Sequence, residues 1–139
     1  MNTLKDLEKK INSELTTKIN FSNVKHNNLY LEIDNEDLID VTLFLKTNKD
    51  SKFKQLIDIT AVDYPESIKR FKMVYLFLSH EFNQRLIINY SISENEVISS
   101  LTKIFPSANW MEREVFDMYG VKFKDHPDLR RILTDYGFE

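Results

Sequence analysis

The sequence contains no cysteine. That excludes disulfides, a cysteine nucleophile, thiolate metal sites and iron–sulfur clusters held by thiolates. Only two glycines occur, Gly120 and Gly137, too few for a glycine-rich phosphate loop. No apolar run approaches the ~20 residues a membrane helix needs. The start, Met1-Asn-Thr-Leu-Lys-Asp6, has neither the apolar core of a signal peptide nor the arginines of a transit helix. This predicts a protein made in the compartment where it works, or one whose leader has been removed. An excess of one charge is also missing: 19 basic against 22 acidic residues leave a net charge of −3. Nucleic-acid binding usually requires a basic field, and none is present.

What is present suits one domain over residues 1–139. A chain of this length buries roughly 68–70% of its unfolded surface, enough for one core. With 42% apolar and 29% charged residues the composition is globular. Lysine (14) far outnumbers arginine (5), and Asn and Ile are abundant, a bias of AT-rich bacterial or organellar genomes.

Leu4, Leu7, Ile11 and Leu15 fall on one stripe and predict a helix over Thr3–Ile19, with Thr3 and Asp6 approximating a capping box. Residues 20–34 read as a hairpin turning at Asn27-Asn28. Asn35 is a candidate cap for a helix whose apolar residues run from Leu38 to Leu45. Three strands follow, at 56–64, 71–79 and 85–93. The middle one is apolar on both parities from Met73 onward, as in a strand covered on both sides. The last alternates, with Leu86, Ile88, Tyr90 and Ile92 on one face. Ser93 with Glu96 forms a capping-box pattern ahead of Val97, Ile98, Leu101 and Ile104, predicting a helix that Pro106 stops. Ser107 is then the expected cap of a helix through Met118, closed by Gly120. The predicted fold is α+β: a mixed or antiparallel sheet of about five strands packed with helices, plus an extended C-terminal segment over 121–139.

The densest chemistry lies at Trp110-Met-Glu-Arg-Glu-Val-Phe-Asp-Met-Tyr-Gly120 and His126-Pro-Asp-Leu-Arg-Arg-Ile-Leu-Thr-Asp-Tyr-Gly-Phe-Glu139. On a helix Glu114 and Asp117 are neighbours, as are Arg113 and Asp117, while Glu112 points elsewhere. A carboxylate pair for acid–base work, or a hard-metal site completed by His126, can be drawn from these residues. A charged face with internal ion pairs explains them more simply. Trp110, Met111, Val115, Phe116 and Tyr119 share the helix, so the charges sit at an apolar boundary, where an arginine among carboxylates suits a protein–protein contact. Arg130 and Arg131 are as readily solvated as ligating. The aromatic tail with Tyr136 and Phe138 suits a partner. His26 and His80 are isolated. No Ser-His-Asp order or zinc spacing occurs, so cofactor binding by this chain alone is not expected.

These two segments, with Leu56-Ile-Asp-Ile-Thr-Ala-Val-Asp-Tyr-Pro65 and Phe82-Asn-Gln-Arg-Leu86, strongly resemble the C-type subunit family of respiratory complex I, the proton-pumping NADH:quinone oxidoreductase. The resemblance runs from about Phe53 to the end. It implies a non-catalytic α+β subunit of the peripheral arm, beside the large quinone-site subunit, inactive alone. NADH, FMN, iron–sulfur clusters and quinone would belong to other subunits, and membrane contact would come only through the complex. It implies interface and scaffold roles for Glu112, Arg113, Glu114, Asp117, His126, Asp128, Arg130, Arg131 and Asp135, joined by Tyr136 and Phe138. It also implies a further basic, proline-containing tail beyond Glu139. The expected location is the matrix side of the mitochondrial inner membrane or, alternatively, the cytoplasmic face of a bacterial inner membrane. A related scaffold of a membrane-bound nickel–iron hydrogenase and a small hydrolase using Glu114 and Asp117 are the rival readings.

Overall fold

The computed structural model describes residues 3–127. Helix α1 spans Leu4–Glu14, and Thr3 caps it: the Asp6 backbone N–H donates to Thr3 Oγ1 at 3.1 Å. It ends sooner than its stripe suggested, and Leu15 closes it. Strands β1 (Phe21–Lys25) and β2 (Asn28–Glu32) form the hairpin. The turn residues are His26 and Asn27, one position earlier than expected, both at positive φ (53° and 61°) as a tight two-residue turn needs. Asn35 does not cap the next helix. It starts a 3-10 turn (Asn35–Asp37) and donates from its side chain to Glu96, before α2 runs over Leu38–Thr47.

Strands β3 (Gln55–Asp63), β4 (Phe71–Ser79) and β5 (Gln84–Ile92) follow within a residue of the predicted bounds. The main sheet has the order β1-β2-β5-β4-β3 and is mixed: β2 and β5 run parallel, the other pairs antiparallel. A bulge between Leu56 and Asp58 inserts Ile57 into β3. One sheet face carries the core: Leu29, Leu31, Met73, Tyr75, Phe77, Leu86, Ile88 and Tyr90 are all closed to solvent there. The hydroxyls of Tyr75 and Tyr90 lie 2.7 Å apart inside it, so each buried phenol has a partner. Burial pushes both far above the ordinary phenol range.

The helix expected over 97–104 is not formed. Val97–Ser99 is instead a short strand, β6, which pairs in parallel with β7 (Lys122–Lys124). Half of the capping box survives: the Ser93 N–H donates to Glu96 Oε1 at 3.0 Å without a helix following. Period two decides the geometry, because Val97 is exposed, Ile98 buried and Ser99 half-buried. Two adjacent β-branched residues and two serines oppose a helix, and a partner strand arrives from far along the chain. Helix α3 (Ala108–Tyr119) then forms. Ser107 precedes it but does not cap it: its hydroxyl donates to the Leu56 carbonyl at 3.2 Å. Gly120 ends α3 in the left-handed region at φ 75°, with its N–H on the Phe116 carbonyl at 2.8 Å.

Candidate functional site

Helix α3 lies along β3 at the sheet edge. Ala108, Glu112, Val115 and Phe116 fall on the i, i+4, i+7, i+8 stripe and all are buried. Tyr119 continues the stripe, its ring edge-on to Phe71 at 5.9 Å. Glu112 is therefore on the core side of the helix. Its side chain is wholly closed to solvent. Oε1 accepts from the Ser100 hydroxyl and Oε2 from the Leu101 N–H, each at 2.7 Å. Burial pushes this carboxyl up to about 7, against the pull of those two donors.

His126 is brought to the same place. Its Nε2 lies 3.8 Å from Glu112 Oε1 and 2.8 Å from the Asn109 carbonyl, and its side chain too is closed to solvent. A carbonyl only accepts, so Nε2 carries a proton and donates to it. Ser100 holds the other side, with its N–H on the Lys124 carbonyl at 3.1 Å. One cluster thus joins α3, the end of β6 and the residues after β7. Of the residues expected in interface and scaffold roles, Glu112 and His126 are thus placed inside the fold, where they bond within the chain.

The opposite face of α3 is different. Trp110 and Met118 are 63% and 73% exposed. The Arg113 guanidinium sits 5.8 Å from the centre of the Trp110 ring. Glu114 and Asp117 are exposed. The internal ion pairs expected of this face are not made: among the described residues Arg113, Glu114 and Asp117 form none. A shallow groove of about 210 Å³ runs between α3 and β3, lined by Ile59, Ala61, Glu114, Val115 and Met118. No group of three or more His, Asp or Glu side chains among the described residues could hold a metal ion. Asp128, Arg130, Arg131, Asp135, Tyr136 and Phe138 lie outside the described residues.

A signal for Glu112 was present in the sequence. Its spacing from Ala108, Val115 and Phe116 is a helical stripe, so the apolar period already assigned it to the inner side. No sequence signal brought His126 to it, because that contact depends on β6 pairing with β7.

A mixed sheet with the described helices on one face, ending in a helix with an anchored side and an ionic and aromatic side that makes no ion pair among the described residues, defines a small α+β domain. The particular family follows from sequence: residues 31–139 match the family described as the respiratory-chain NADH dehydrogenase 30 Kd subunit, and the chain belongs to it. It is 54% identical over 110 residues to the C-type subunit of NADH-quinone oxidoreductase from Ruegeria pomeroyi, covering 79% of this chain and 55% of the relative. It is 44% identical over 136 residues to the corresponding subunit from a Chelativorans species, covering 98% of this chain and 68% of the relative. The chain therefore spans little more than half to two thirds of the length of these bacterial relatives.

Two solved structures share the fold. A trypsin-resistant fragment of Nqo5 superposes with a TM-score of 0.72 at 24% identity, over 92% of this chain and 99% of that one. A chain of the membrane-bound sulfane sulfur reductase, an archaeal respiratory membrane complex, superposes with a TM-score of 0.79 at 21% identity, over 89% and 72%.

Proposed function

We propose that this chain is a non-catalytic structural subunit of an NADH:quinone oxidoreductase. In this reading it belongs to the peripheral arm, at the quinone-reducing module, and braces the large quinone-site subunit. The observation that carries the reading is the outer face of α3. A guanidinium over an exposed indole, with nearby carboxylates that make no ion pair among the described residues, suits bidentate pairing across an interface. The helix that presents it is anchored from below by Glu112. Residues 128–139 extend the contact.

No residue of this chain touches a reacting atom in this reading. NADH, FMN, the iron–sulfur clusters and quinone belong to neighbouring subunits, and the isolated chain is inactive. Its contribution to electron transfer is geometric, through the separations it maintains between its neighbours. No described helix is long and apolar enough to cross a membrane. In this reading attachment comes through the complex. In this reading the chain sits at the cytoplasmic face of a bacterial inner membrane, which its bacterial relatives support over a mitochondrial location. The fold's recurrence in the sulfane sulfur reductase supports a second reading, a related scaffold in another respiratory membrane complex. The neighbouring subunits distinguish the two.

The test is Arg113→Ala, with Arg130→Ala as its companion, in cells that assemble the complex. Native gels should show less assembled complex, while turnover per assembled complex stays near wild type and the purified chain melts as before. Full assembly with lost turnover would reverse the assignment.

A further inference from the structure

The main sheet has a second face that nothing in the described chain covers. All three helices lie on the other side. Glu8 and Asn12 of α1 bond to Ser22, whose register partner Leu31 points into the core. Tyr119 of α3 meets Phe71, and Lys46 of α2 sits over Phe105, which packs on Phe77. Phe71 and Phe77 are core-face residues. The uncovered face is nonetheless apolar at its centre. Tyr30, Ile87 and Leu76 stand side by side across three strands, flanked by Val74 and Leu78. All five are only half-buried.

Strand β4 is thus built for burial on both faces and receives it on one. A groove of about 360 Å³ opens on the same side between Phe21, Tyr30, Lys72 and Asn89. Lys25, Lys72 and Arg85 rise from this face, against Glu32 and Asp58. None of the five makes an ion pair among the described residues.

We infer that this open sheet face is a second docking surface, occupied by an amphipathic segment of another subunit with aliphatic residues on one side and carboxylates beside them. The excess of cations selects the occupant. A second copy set face to face offers only Glu32 and Asp58 to three cations, so each copy is left with a cation in excess, which disfavours self-association. A flanking carboxylate on another chain would pair them. This inference rests on the reading of the chain as a brace. A brace needs two contact surfaces, and α3 with the open sheet face provides one on each side of the sheet.

The test uses the assembled complex carrying the tagged full chain with a photo-crosslinking p-benzoylphenylalanine at Leu76 or, separately, at Trp110. Crosslinking from position 76 to a segment of another subunit with that composition, different from the segment reached from position 110, is the expected result. Crosslinks from 76 to a second copy of this chain, to its own residues 128–139, or to nothing overturn the inference. Failure at 110 with success at 76 overturns the α3 reading and upholds this one. As a second measurement, Lys72→Glu with Arg85→Glu should reduce retention of the crosslinked subunit about tenfold while the melting temperature of the chain stays unchanged. Unchanged retention overturns the inference.

Discussion

Glu112 and Glu114 are two residues apart on one helix and live in different media. Glu112 is closed to solvent, accepts two hydrogen bonds at 2.7 Å and holds its proton up to about 7. Glu114 is exposed and makes no ion pair among the described residues. The residue type is the same, and the helical phase of roughly 200° between them makes the difference. One face of α3 therefore provides stability and the other meets water. An acidic cluster in a sequence is not one object when a helix divides it.

The sharpest way to break this contrast is by pH. A folded-state carboxyl raised above its unfolded value binds its proton more tightly when folded. Its stabilisation is complete below about 4.5 and is lost as pH rises towards about 7. Glu112 should thus remove on the order of 3 kcal/mol across that window. Urea titrations of wild type should show the decline, and Glu112→Gln, which stays neutral, should flatten it. The Asp63–Arg70 pair acts in the opposite direction, because its lowered carboxyl loses stabilisation as pH falls. A wild-type profile with no decline between pH 5 and 7 would mean that Glu112 is ionised and otherwise compensated.

Truncation at the two positions should differ almost as much. At pH 5, Glu112→Ala strands the Leu101 N–H and leaves a cavity, and should destabilise by about 2–3 kcal/mol. Glu114→Ala should stay within about 0.5 kcal/mol. Equal effects in chemical denaturation would erase the distinction between the faces. Gly120→Ala tests whether α3 needs its left-handed end. A Cβ there meets nothing within 4 Å, so only the backbone conformation opposes it, at about 1–2 kcal/mol in thermal unfolding. The smallest expected effect is Thr3→Ala, far from the site. It removes one capping bond and should lower stability by about 1 kcal/mol or less.

Much of the fold was legible because its signals are local. The stripe of Leu4, Leu7 and Ile11, the alternation through Leu86, Ile88 and Tyr90, and Gly120 at the end of α3 each depend on neighbours within a few residues. The error at Val97–Ser99 had the opposite cause. Ser93 and Glu96 formed half of their box, yet pairing with Lys122–Lys124 outcompeted the helix, and no local pattern announces a partner so distant. His126 illustrates the same limit, because its burial follows from that pairing. The uncovered face of the sheet lies between the two cases. The doubly apolar β4 was readable, but that no described element covers its second side required knowing where each helix packs.

By itself the sequence determined the α+β class, the core parity of the alternating strand β5 and membership of the 30 Kd subunit family, since hydrophobic period and motif are properties of adjacent residues. Only the tertiary structure decided which acid of α3 is buried, that His126 joins it, and that no described element covers one sheet face. Those outcomes depend on segments distant in sequence competing for the same space, and their packing energies are not carried by any one of them.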